Sequence, residues 1–67
     1  MISINGIEKT GYEGMSLAAA LEKEDYQTER IAVEKNGEII PKKAWHTDIL
    51  KEGDVLEVVN FVGGGSC

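Results

Sequence analysis

Sixty-seven residues suffice for one small domain, which buries only about 60% of the surface its unfolded chain exposes and leaves little room for a multi-residue catalytic cleft. Seven basic against twelve acidic residues give a formal charge of -5; this repels nucleic acid and anionic membrane and favours a basic protein partner. A single cysteine excludes an internal disulfide, and with neither a long apolar run nor a charged-then-apolar leader the expected location is cytoplasmic.

Met1-Ile2-Ser3-Ile4 alternates apolar and polar residues and runs into Asn5-Gly6, a pair suited to a two-residue hairpin because both positions accept positive φ. A second strand is expected from Ile7 to about Thr10. Gly11 and Gly14 punctuate the next connection, and Ser16 stands where a helix N-cap belongs, ahead of Leu17-Ala18-Ala19-Ala20-Leu21-Glu22-Lys23. Leu17, Ala20 and Leu21 form one narrow apolar stripe for a single sheet face. Glu24 to Glu29 reads as the helix exit and a loop, with Tyr26 as a lid at the core edge.

Ile31 to Lys35, Asn36-Gly37 and Glu38 to Ile40 repeat the hairpin signal, and Pro41 ends ladder donation. Lys42 to Asp48 suits one helical turn or an irregular crossing, with Trp45 as a core plug. Ile49-Leu50 is expected as a short edge strand. Lys51-Glu52-Gly53-Asp54 is a turn by composition, and Val55 to Phe61 is the strongest strand.

Two hairpins flanking one helix, closed by a last strand lying parallel to the first, give an α+β fold of the β-grasp (ubiquitin-like) type. One helix packs on a mixed sheet of four to five strands. The domain is expected over 1–62, with 63–67 as a flexible glycine-rich tail. Along the last strand Leu56 and Val58 face the helix, while Val55, Val59 and Phe61 share the open face with Glu57. Exposed Val55, Val59 and Phe61 would form a docking patch beside the tail; the alternative is that loops cover them.

Catalytic chemistry is sparse. His46 is the only histidine and has no second histidine or cysteine nearby to build a metal set. Glu8, Glu13, Glu22, Glu24, Asp25, Glu29, Glu34 and Glu38 form no acid/base pair or calcium loop, so neither a resident metal nor a bound cofactor is expected. Gly63-Gly64-Gly65 lacks the lysine and following helix of a phosphate cradle. Three glycines without Cβ atoms can instead thread a narrow tunnel in another protein; a merely flexible terminus is the other reading.

The run Asn36-Gly37-Glu38-Ile39-Ile40-Pro41-Lys42-Lys43-Ala44-Trp45, then Leu50 to Val59, then Phe61-Val62-Gly63-Gly64-Gly65 resembles the thiamine-pathway sulfur carrier family, ThiS. The likeness covers essentially the whole chain. It implies a β-grasp carrier, not an enzyme, whose terminal glycine is adenylated with ATP by a ThiF-type partner and converted to a thiocarboxylate. The sulfur comes from a donor enzyme and passes to thiazole synthase of the ThiG type. Matched onto this chain, the family's glycine pair is Gly64 and Gly65, with Gly65 as acceptor and Gly63 as added reach.

Ser66 and Cys67 follow Gly65, so its carbonyl stands in an amide that cannot be adenylated directly. Removal of Ser66-Cys67 by a peptidase is the leading expectation; Cys67 as a persulfide or disulfide carrier and an inert extension are the others. Carriers for molybdopterin, cysteine or methionine synthesis and a non-covalent ubiquitin-like interaction module are the alternatives in function.

Overall fold

The computed structural model describes residues 1–60. The elements run β1 (Ile2–Ile4), β2 (Ile7–Lys9), α1 (Leu17–Lys23), a 3-10 turn (Thr28–Arg30), β3 (Ile31–Lys35), β4 (Glu38–Ile39), a second 3-10 turn (Lys42–Ala44) and β5 (Val55–Asn60). The five strands form one mixed sheet in the order β2-β1-β5-β3-β4. β5 lies parallel to β1, with Ser3 opposite Val55 and Ile4 opposite Leu56, and antiparallel to β3 from Ile31 opposite Asn60 to Lys35 opposite Leu56.

Both Asn-Gly pairs make the expected turns. Asn5 and Gly6 take φ of 52° and 83°, and Asn36 and Gly37 take 54° and 88°, the left-handed values that a two-residue hairpin needs to follow strand twist. The helix is one of only seven residues, short enough to be marginal in isolation, and it is capped at both ends. At the first turn the Leu17 N–H donates to the Asp48 carbonyl (2.8 Å) and the Ala18 N–H to the Trp45 carbonyl (2.9 Å). The Ala19 N–H donates to Ser16 Oγ at 3.1 Å, so the crossing segment and the N-cap together satisfy the donors that a helix start leaves free. At the other end Asp25 turns left-handed at φ 67° and the Tyr26 N–H reaches back to the Leu21 carbonyl at 3.1 Å, a Schellman-type closure.

The apolar stripe meets the sheet as expected. Leu17, Ala20 and Leu21 are buried against Ile2, Ile4, Ile31, Val33, Leu56 and Val58, and Trp45 fills the space under the crossing segment. Its indole N–H donates to the Ile40 carbonyl at 3.0 Å, and Tyr26 packs at the core margin.

Three expectations about extent are corrected. β2 ends at Lys9 rather than Thr10. β4 ends at Ile39 rather than Ile40: the Ile40 N–H still donates to the Val33 carbonyl at 2.9 Å, but its carbonyl is taken by the Trp45 indole and Pro41 has no N–H to continue the ladder. Ile49-Leu50 is not an edge strand of the sheet. Leu50 bonds instead with the segment before the helix, donating to the Met15 carbonyl (2.9 Å) and accepting from the Gly14 N–H (2.9 Å). Only an isolated bridge between Ser16 and Ile49 forms there, and Leu50 is buried in the core.

Candidate functional site

β5 organises the site because it is the central strand and leads toward the glycine run. Its two flanking turns grip it through asparagine side chains. The β1–β5 ladder stops at Ile4, and the Asn5 side chain continues it as a substitute peptide group. Asn5 Oδ1 accepts from the Val58 N–H at 2.7 Å, and Asn5 Nδ2 donates to the Val58 carbonyl at 3.2 Å. At the other end Asn36 Oδ1 accepts from the Val55 N–H at 2.9 Å, and Asn36 Nδ2 donates to Asp54 Oδ1 at 3.0 Å. Asp54 Oδ2 in turn accepts from the Lys51 N–H at 2.8 Å. Burial works to raise the Asp54 pKa, but the Lys51 and Asn36 hydrogen bonds and the charges of Lys35 and Lys51 outweigh it and hold the carboxyl below its ordinary range. Reading the asparagines as turn residues missed this second role, which only the juxtaposition with β5 reveals.

The alternation along β5 is as expected over the described residues. Leu56 and Val58 are buried, while Val55 is 44% and Val59 57% exposed, with Glu57 outward between them. No helix or loop of the described chain covers Val55 and Val59, so this side of the sheet is open among the described residues. Cross-strand register extends that face: Ala32 stands opposite Val59, Glu34 opposite Glu57, and Ile39 opposite Glu34. Ile39 is 70% exposed, and its place on this face was not legible without the register. Phe61, Gly63, Gly64, Gly65, Ser66 and Cys67 lie outside the described residues.

The opposite side of the sheet carries a separate polar cluster. Tyr12 donates its hydroxyl to Glu24, Lys9 pairs with Glu24 at 3.2 Å, and the Lys23 ammonium sits 5.5 Å from the Tyr12 ring centre. The Tyr12 hydrogen bond, aided by Lys9, lowers the Glu24 pKa against the opposing effect of burial, and the same bond raises that of Tyr12. This cluster joins the helix end to β2. His46 is exposed in the crossing segment. Among the described residues no group of three or more His, Cys, Asp or Glu side chains could hold a metal, and no helix is long and apolar enough to cross a membrane.

Comparison with known proteins follows the same lines. The ThiS family model matches residues 2–65, ending on Gly65. The chain is 50% identical over 42 residues to the sulfur carrier protein ThiS of Bacillus subtilis, covering 60% of this chain and 64% of that one. It is 40% identical over 63 residues to a thiazole synthase of Paramagnetospirillum magneticum, covering 94% of this chain and 19% of that protein. The chain thus spans about a fifth of the thiazole synthases it matches. The crystal structure of a thiamine biosynthesis protein (ThiS) from Geobacter metallireducens superposes with a TM-score of 0.79 at 31% identity, covering 96% of this chain and 97% of that one.

Proposed function

The chain belongs to the ThiS family of sulfur carriers in thiamine biosynthesis, and from that premise we propose that Gly65 is the residue on which sulfur is carried. After a peptidase removes Ser66-Cys67, the Gly65 carboxylate attacks the α-phosphate of ATP in the site of a ThiF-type enzyme and pyrophosphate leaves. Hydrosulfide released by the donor enzyme then attacks the acyl adenylate, AMP departs, the sulfur's proton goes to solvent, and a thiocarboxylate remains. Thiazole synthase of the ThiG type receives that sulfur. The chain is a co-substrate in this scheme and provides no catalytic group, and the scheme's use of ATP is consistent with a cytoplasmic location.

The observation that carries the reading is the end of the family match on Gly65, with Ser66 and Cys67 beyond it. The sheet supports it geometrically. Gly65 is five residue steps beyond Asn60, so the acceptor lies at most roughly 18 Å from the end of β5 even when fully extended. An enzyme that holds the acceptor in its active site must therefore contact the domain beside the tail, where Val59 is exposed next to the end of β5. Gly63 and Gly64 suit the intervening path because a backbone without Cβ atoms fits a narrow channel. That this unit matches part of proteins named thiazole synthase supports a thiazole synthase as a direct partner.

Intact mass of the chain, incubated with extract of its host, ATP and a sulfide source, tests the scheme. The expected product ends at Gly65 and is about 16 Da heavier than the trimmed acid, sulfur having replaced oxygen at an end group held in register by the partner. A chain that accepts sulfur at full length would refute trimming, and loss of that sulfur in Cys67→Ser would assign it to the thiol.

A further inference from the structure

The open sheet face has a charge distribution that the fold itself does not use. Register puts Lys9 opposite Ile2 and Lys35 opposite Leu56, on the helix side, where both are paired: Lys9 with Glu24 and Lys35 with Asp48. The strand residues on the other side include Glu8, Glu34 and Glu57 and no lysine or arginine. Among the described residues none of these three carboxylates forms an ion pair.

Glu34 and Glu57 face each other directly across β3 and β5. The Asn36 N–H donates to the Val55 carbonyl, so by alternation Glu34 and Glu57 form a hydrogen-bonded pair, with Cα atoms about 5.5 Å apart. Like charges directly opposite each other in a sheet destabilise it. Around them lie Val59, Ala32 and Ile39, apolar and at least partly exposed.

We propose that this face docks a protein surface in which basic side chains project from an apolar ground, with one of them seated between Glu34 and Glu57. This rests on the sulfur-carrier reading above and specifies the chemistry by which the carrier's enzymes recognise it. An arginine fits best: its planar fork can engage both carboxylates while its aliphatic stem lies along Val59 and Ala32. A second copy of the chain is a poor occupant, because face-to-face pairing sets carboxylates against carboxylates. An anionic membrane is repelled for the same reason.

The test compares Glu34→Gln, Glu57→Gln and the double variant with Glu22→Gln, an exposed carboxylate on the helix that makes the same change in net charge. Each is measured for association rate with a ThiF-type adenylating enzyme and with a thiazole synthase across a salt series, for oligomeric state, and for thermal unfolding. The double variant is expected to associate about tenfold more slowly at low salt, with a flatter salt dependence, while its unfolding temperature stays equal or rises. Glu22→Gln is expected to change the rate far less.

An unchanged rate and salt slope in the double variant, alongside lost binding in Val59→Asp, would overturn the basic-partner assignment and leave the face an apolar dock. Sulfur loading that survives Val59→Asp and the double variant alike would overturn docking on this face while sparing the carrier function. Absence of binding and of sulfur loading in the parent chain would overturn the carrier reading and this inference together. Self-association through the face would overturn the choice of occupant.

Discussion

Replacing Asp54 with alanine tests the clamp that sets the start of β5. The carboxylate is 8% exposed and accepts two hydrogen bonds, from the Lys51 N–H and from Asn36 Nδ2. Each hydrogen bond to a charged group contributes about 1.5–3 kcal/mol. Lys51 and Asn36 are themselves exposed, so water replaces part of what is lost, and the combined loss is about 2–3 kcal/mol. A chain of this size has only about 3–10 kcal/mol of stability in all, and the midpoint falls by roughly 10–20 °C. Asp54→Asn keeps the shape but turns one acceptor into a donor, and an intermediate loss is expected.

The lowered pKa gives this prediction a pH signature. Because the folded carboxyl titrates below the unfolded one, its contribution is fully present above the ordinary aspartate pKa near ~3.9 and disappears as pH falls through the folded value. The stability gap between parent and Asp54→Asn therefore narrows in acid. Urea unfolding at pH 7 and below pH 4, with thermal melts beside it, measures both effects. A midpoint within about 4 °C of the parent for Asp54→Ala, or a gap independent of pH, would refute the clamp as an energetic element.

The other predictions follow from single contacts. Gly37 has φ 88° with nothing within 4 Å of an added Cβ, so Gly37→Ala is expected to destabilise by about 1–2 kcal/mol from backbone strain alone, read by urea midpoint. Trp45→Phe keeps most of the buried volume but leaves the Ile40 carbonyl without its donor, and a loss of about 1–3 kcal/mol is expected in the same assay. Val59→Asp, at a position 57% exposed, is expected to cost the fold about 1 kcal/mol yet weaken partner binding by tenfold or more, measured by titration with the adenylating enzyme.

Local chemistry made most of the fold legible. Asn5-Gly6 and Asn36-Gly37 announced the hairpins through their tolerance of positive φ, Ser16 announced the helix start, and the Leu56/Val58 alternation assigned the two faces of β5. Features that depend on long-range juxtaposition were not legible. Asn5 bonds Val58, 53 residues away, and nothing near Asn5 in sequence distinguishes a turn asparagine from one that also extends a ladder. Leu50 looked like a strand residue because it is apolar beside Ile49, whereas its backbone partners lie in the segment before the helix. The opposition of Glu34 and Glu57 needed the β3–β5 register, since either residue alone reads as solvated surface.

The placement of β5 links these features to function. A docking face and a reactive tail act together only if the strand joining them has a fixed register, because a one-residue slip would exchange Val55, Glu57 and Val59 for Leu56 and Val58 on the open face. β1 by itself is a weak restraint, pairing with β5 at two positions. The antiparallel ladder with β3 sets the register over five residue pairs, and the Asn36–Asp54 clamp at the start of β5 and the Asn5 bonds at Val58 reinforce it from both flanks. Variants that loosen either asparagine are therefore expected to lower partner affinity more than their loss of global stability accounts for, because β5 frays locally beside the docking face while its β3 ladder and the buried Leu56 and Val58 keep the chain folded in register.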